Sequence, residues 1–399
     1  MSVFDWREPG AWGSPRAVGA AGVALGLLAL WIALPPVNAR SPLIPVAAGI
    51  LALAAGIWAT SRGQRRLGWG AIAAGVAGTA IGALATQSSV GNLDTVFVWS
   101  ALLAAMLRFA TPLVFAAVGG LFSERSGVVN IGLEGMMLTG AFFGILAADK
   151  AGSWVLGLLC AMLAGGLLAL VHAFFSIHLR ADQIVSGTAV NFLALGITGY
   201  LYIDIYGTQG VPTDVSRIPD VSLPLIDDLY FVGPVLGDLN LMIWLGLLLV
   251  VAAYVVLFKT PLGLRIRAVG EQPRAADTVG ISVYGVRYAC VIASGMLAAL
   301  GGAYLSFGFS GAFAENMTKG RGFIALAALI FGNWRPFGAL AAALLFGFSS
   351  ALAQRLPEYS ESGATLFQTL PYVLTLIAVA GFIGRSIPPA AIGRPYRKQ

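Results

Sequence analysis

The side chains able to do chemistry in this sequence are few, and they sit in apolar surroundings. Glu134 lies in Asn130-Ile131-Gly132-Leu133-Glu134-Gly135-Met136-Met137, and Asn191 follows Ser186-Gly187-Thr188-Ala189-Val190. Amide and carboxylate groups can hydrogen-bond a polar solute, so Asn130, Glu134 and Asn191 are candidates to line a solute route. Each also has a structural use. Glu134 could pair with Arg108 or Arg125, and Asn191, four residues after Gly187, suits a bridge between closely packed helices. Phe323 and Phe331 could stack on a planar ring, or simply pack.

No catalytic set emerges. His172 and His178 lie six apart, which gives neither a zinc pair nor a triad, and His172 reads as a satisfied helix residue. Cys160 and Cys290 both sit inside apolar runs without metal spacing. Lys259 is the only lysine followed by Ser or Thr, and Phe258 stands where a phosphate-binding loop needs glycine. The chain is therefore expected to be no enzyme and to bind no metal or cofactor itself.

The elements that must hold these residues follow from composition. The 399 residues are 58% hydrophobic and 11% charged, with mean hydropathy +0.84. A soluble domain carries roughly a quarter charged residues, so this chain cannot cover a water-facing surface. Apolar stretches fall near 17–34, 41–60, 67–86, 95–121, 131–147, 154–177, 184–203, 241–258, 285–308, 322–333, 337–355 and 366–384. A crossing needs about 20 such residues. The expected fold is an all-α polytopic transmembrane bundle of 10–12 spans, in which 95–121 is long enough to tilt or break and 322–333 is short enough to be a half-helix. Gly295, Gly301 and Gly302 suggest close helix packing.

Basic residues set the orientation. Arg62, Arg65 and Arg66 lie in one connection, Lys259, Arg265, Arg267 and Arg274 in another, and Arg385, Arg394, Arg397 and Lys398 near the C-terminus. Twelve alternating spans put all three groups on one side, the cytoplasm by the positive-inside rule, with both termini there. The opposite side receives the acidic loop 204–240, where Asp204, Asp214, Asp220, Asp227, Asp228 and Asp238 face only Arg217. Lys319 and Arg321 are expected near that side. The net charge of +6 then reports orientation, and no nucleic-acid partner is implied. Residues 1–16, which include Trp6 and Trp12, read as a retained cytoplasmic lead rather than a signal peptide.

The connection 259–283 is too ordered for a linker. Pro261 and Gly263 punctuate its start, Pro273 can begin a short helix, and Gly280 can end it. Ala275, Ala276 and Val279 share a face at helical spacing, small enough to sit close against a partner.

Three ordered blocks carry a family resemblance. Gly263-Leu264-Arg265-Ile266-Arg267-Ala268-Val269-Gly270-Glu271-Gln272-Pro273-Arg274-Ala275-Ala276 resembles the coupling loop of permease subunits of ATP-binding cassette importers, in the branch handling simple sugars, nucleosides and branched-chain amino acids. Glu124 to Leu138 resembles an early motif of the nucleoside and simple-sugar permeases, most like those that depend on an external lipoprotein. Gly320 to Pro336 resembles a later motif of the same branch.

The resemblance implies a permease domain over 95–385, preceded by an extension of about three spans in 1–94 and followed by a basic tail, 386–399. It implies a multi-pass plasma-membrane protein whose coupling residues are Gly263, Arg265, Arg267, Gly270, Glu271, Pro273, Ala275, Ala276 and Gly280. Its expected partners are ATP-binding cassette ATPase subunits carrying ATP and Mg, a second related permease chain, an extracytoplasmic solute-binding lipoprotein and the lipid bilayer. An alternative reading is an ion-coupled secondary transporter with Glu134 as the ion ligand.

Overall fold

The computed structural model describes residues 14–33, 43–87, 98–207, 210–211, 215–222, 233–355 and 386–398, with side chains 81–87 left aside. The expected span at 366–384, the lead 1–13, Arg385 and the loop residues Asp214, Asp227 and Asp228 lie outside them. The chain divides into two compact units. One comprises residues 1–102 with 349–385, and the other 103–348 with 386–399.

The first unit holds α1 (Pro15–Ala33), α2 (Leu43–Ser61) and α3 (Arg65–Gln87). They pack through glycines: a side chain on Gly26 would strike Ala74, and one on Gly56 the backbone of Ile72. Leu27, Trp31, Leu51 and Ile57 point outward, as a lipid-facing surface requires.

The second unit is built on α4 (Trp99–Arg125) from residue 103 onward, α5 (Leu133–Ala151), α6 (Trp154–Ala173), α7 (Gln183–Tyr206), α9 (Leu241–Lys259), α12 (Val283–Ala303), α13 (Arg321–Phe331) and α14 (Pro336–Arg355) up to residue 348. Between α7 and α9 a short helix, α8 (Gly233–Leu236), and a two-stranded ribbon form part of the acidic loop. Its strands, β1 (Asp220–Ser222) and β2 (Asp238–Asn240), are antiparallel, with Val221 opposite Leu239. Caps delimit the helices. Asp182 accepts the first amides of α7, Asn240 that of Met242, and Ser282 that of Gly285. The central helix is α12, which meets α5 at Gly302, whose Cβ would fall on Met137 O, and at Gly140, whose Cβ would fall on Ala299 O. Small residues permit this approach, which dispersion then rewards.

Eight described helices are long and apolar enough to cross a membrane. The 23-residue α3 and the 19-residue α5, which carries Glu134, Asp149 and Lys150, match them in length. The span expected to tilt or break at 95–121 does not break in its described part: α4 is continuous over 27 residues despite Pro112. The spans at 154–177 and 285–308 instead finish in π-helical turns, Phe174–His178 and Tyr304–Ser310. The connection 259–283 is no loop with one helix in it. Thr260 caps α10 (Pro261–Glu271) by accepting the Gly263 amide at 3.2 Å, Pro261 occupies its first turn, and α11 (Pro273–Thr278) follows directly. Residues 386–398, set apart as a basic tail in the sequence, fold back onto α10, α11 and α12, with Tyr396 buried among Val269, Ala276 and Val283.

Gly302→Val should therefore lower the melting temperature of the detergent-purified protein, by the equivalent of about 1–3 kcal/mol for an overpacked contact. Gly196→Ala, with open space around its Cβ, should be neutral or slightly stabilising. Equal melting of the two variants would contradict the close contact.

Candidate functional site

Between α4 and α5 the helix is interrupted, and residues 126–132 run through the interior of the bundle as irregular backbone. Val128 and Asn130 have no exposed surface. Non-helical backbone survives in a membrane protein only where its N–H and C=O groups are satisfied by protein or by water in a cavity, since each orphan costs several kcal/mol in lipid. Polar side chains from three helices supply the partners. Gln183 Oε1 accepts the Val129 amide at 2.7 Å, and His172 Nε2 lies 3.1 Å from the Val129 carbonyl. Ser123 donates to the Val128 carbonyl at 2.8 Å. Asn191 does both tasks: its Nδ2 donates to Ile131 O at 3.0 Å, and its Oδ1 accepts the Gly135 amide at 2.8 Å. Asn130 Nδ2 donates to Ser294 Oγ of α12 at 2.9 Å.

A second interruption is the half-helix α13, whose 11 residues cover about 16 Å at 1.5 Å per residue, half of a hydrocarbon core. Both of its ends are held by buried carboxylates. At its N-terminus Glu134 accepts the Gly320 amide at 2.7 Å and the Gly322 amide at 2.5 Å, one on each oxygen. A carboxylate here meets both orphan donors and the positive end of the helix dipole. Gly322 is required, because a Cβ would strike the Glu134 backbone. No ion pair joins Glu134 to Arg108 or Arg125 among the described residues, so the expected structural alternative is replaced by helix capping. Arg321, expected near the far face, turns its guanidinium back to Met317 O at 2.8 Å.

At the other end the chain makes a left-handed turn, with φ of 53° at Asn333 and 52° at Trp334. Such backbone costs about 1–2 kcal/mol per residue without glycine. Three groups hold it. The Trp334 amide donates to Leu329 O, its Nε1 donates to Glu124 Oε2 at 2.5 Å, and its carbonyl accepts both Nε and Nη2 of Arg125 at 2.9 and 2.7 Å. Residues of the early block, Glu124, Arg125 and Glu134, thus grip the later block at both ends. The third block joins them at Gly270, where a Cβ would fall on Arg125 O.

The residues expected to couple divide by exposure. Gly263, Gly270 and Ala276 are buried against this chain, Arg267 and Pro273 are half-buried, and Arg265, Glu271, Ala275 and Gly280 are exposed. The shared face expected of Ala275, Ala276 and Val279 is split, since Ala276 packs inward while Val279 is 73% exposed. Gly280, with φ of 83°, ends the segment in the left-handed region. The solute-route candidates divide likewise. Asn130 and Glu134 are buried, Asn191 spends its amide on backbone, and Phe331 stacks on Phe346 at 5.9 Å. Phe323 alone of the five keeps a large exposed surface, 48%. Sequence reading missed Gln183, Ser123, Trp334 and Arg287. A polar residue facing an interrupted segment was the available signal for the first two, but which segment was interrupted was not visible.

The clamp predicts strong coupling between Glu124 and Trp334. Trp334→Phe strands a buried carboxylate and should cost about 1–3 kcal/mol, whereas adding Glu124→Leu should recover part of that loss. Thermal unfolding of the four chains in detergent gives the cycle, and strictly additive changes would contradict the contact.

Residues 102–379 match the family described as the branched-chain amino acid transport system / permease component. The chain is 44% identical over 322 residues to the guanosine ABC transporter permease protein NupQ of Bacillus subtilis, covering 77% of this chain and 99% of the relative. It is 41% identical over 307 residues to the nucleoside ABC transporter permease protein NupC of Lactococcus lactis, covering 74% and 96%. A putative glucose ABC transporter permease protein, TsgC13 of Haloferax volcanii, is 38% identical over 263 residues, 65% and 78% of the two chains. No solved structure matches. With a family match over most of its length, apolar membrane-length helices and the three blocks joined in one structural unit, the chain belongs to the branched-chain amino acid transport system / permease component family, a membrane permease of ABC importers.

Proposed function

We propose that this chain is the permease subunit that carries a nucleoside across the plasma membrane, driven by ATP hydrolysis on a separate subunit. The observation that carries the reading is the likeness to guanosine and nucleoside permeases over nearly their whole length. The glucose permease likeness is shorter and weaker, so a sugar is the second candidate. Within the chain, α10 and α11 present Arg265, Arg274 and Ala275 outward, a surface suited to a soluble motor holding ATP and Mg. Lys259, Arg265, Arg274, Arg335, Arg394, Arg397 and Lys398 are exposed at that end, which supports a cytoplasmic placement of it and of the C-terminal segment. The acidic ribbon loop would then meet an extracytoplasmic solute-binding lipoprotein, and a second permease chain would complete the pore.

The ion-coupled alternative needs Glu134 as a free ligand, yet both of its oxygens already accept amides of α13. Phe323 is left as the aromatic able to meet a base. Base stacking on an aromatic is worth about 1–3 kcal/mol.

Two experiments test this reading in proteoliposomes holding the complete transporter. Phe323→Ala should raise the KM for guanosine about tenfold with ATP hydrolysis intact, and an unchanged KM would remove Phe323 from the route. Ala275→Arg, at an exposed position, should lower ATP-dependent uptake at least tenfold without changing the melting temperature. Ala276→Arg, at a buried one, should destabilise the protein itself; the reverse pattern would contradict the docking face.

A further inference from the structure

The segment 386–398 does more than end the chain. Over these thirteen residues its main chain bonds to the turn after α13, to the end of α10 and to the start of the interrupted segment. Ile387 N donates to Asn333 Oδ1 at 3.0 Å, at the left-handed turn after α13. Ala390 N donates to Glu271 Oε2 at 3.1 Å and Ala391 N to Gly270 O at 2.9 Å, at the end of α10. Gly393 N donates to Gly127 O at 3.2 Å, where α4 gives way to the interrupted segment. The Arg394 carbonyl accepts Nη1 of Arg287 at 3.1 Å, while Nε of the same guanidinium donates to Ser126 O at 3.2 Å.

Arg287 is 1% exposed and spends its bonds on backbone carbonyls. It sits where α4 ends, so its charge also meets the negative end of that helix dipole. Beyond it, the Tyr284 hydroxyl donates to Tyr396 O at 3.3 Å, and Tyr396 packs on Val269 and Ala276 of the coupling helices. Burial and the neighbouring Asp277 carboxylate hold the Tyr396 phenol above its ordinary pKa. Pro388, Pro389 and Pro395 stiffen the backbone, and a turn closed by Ile392 N to Pro389 O reverses it over Gly127. A stiff segment bonded at three separated points moves with them or not at all.

We infer that residues 386–398 are a tie-bar that carries displacement of α10 and α11 to the Asn333–Trp334 turn, with Arg287 as the positioning residue that anchors it. The inference rests on the ATP-driven reading above, and it adds a second path beside the direct contact of Gly270 with Arg125. Pulling on the coupling helices then pulls one end of the half-helix directly, and the half-helix pulls Glu134 at its other end.

The test uses the full chain with its ATPase, second permease and binding lipoprotein in vesicles, measuring radiolabelled guanosine taken up per ATP hydrolysed. Ala391→Arg puts a large cation into the buried position over Gly127, beside Arg287. Ala390→Pro keeps the turn, for which proline suits that position, but deletes the donor to Glu271. Uptake per ATP is expected to fall about tenfold in the first and two- to threefold in the second, with assembly and ATPase rate within twofold of the parent. Should Ala391→Arg fail to assemble, Ala390→Pro decides alone. An unchanged ratio in the assembled variants, with 386–398 shown by hydrogen exchange to have loosened, overturns the tie-bar and leaves the transport reading standing. If the parent complex shows no ATP-dependent uptake, the transport reading falls and the tie-bar with it.

Discussion

A backbone amide left without a partner inside a bilayer costs several kcal/mol, and the core of this protein is organised around two places where helix is deliberately absent. One is the passage 126–132 between α4 and α5, and the other is the short helix α13 with its left-handed exit. Polar side chains of the second unit attend both interruptions. Gln183, His172, Ser123 and Asn191 attend the first, and Glu134, Glu124 and Arg125 the second.

This accounting changes the meaning of the polar residues. A carboxylate or amide at membrane depth invites a functional reading, and both Glu134 and Asn191 invite it. Their hydrogen bonds go to backbone: Glu134 accepts the Gly320 and Gly322 amides, and Asn191 bridges Ile131 and Gly135. The same logic separates the residues expected to couple: Gly263 and Gly270 are glycine because α10 lies directly on neighbouring main chain, whereas Arg265 and Ala275 are exposed.

Much of this was legible in the sequence. The membrane class followed from composition, the short helix near 322–333 from its length, and the helix beginning at Pro273 from that proline and Gly280. Three features were not. α10 was hidden because Pro261 and Gly263 read as breakers, although proline in a first turn and glycine at a close contact both belong in a helix. The grip of Glu124 on Trp334 spans 210 residues, and no local pattern announces a pairing at that distance. The folded state of 386–398 was masked by its composition, since prolines and basic residues suggest a solvated tail, while its attachment runs through main-chain groups that every residue possesses.

The central claim is that Glu134 holds the half-helix by its first amides. Hydrogen–deuterium exchange across 320–331, followed by mass spectrometry in the parent and in Glu134→Ala, tests it directly. Removing the carboxylate should speed exchange at Gly320 and Gly322 at least tenfold and spread protection loss into α13, with α12 unchanged. Identical exchange across 320–331 in the two proteins would contradict it.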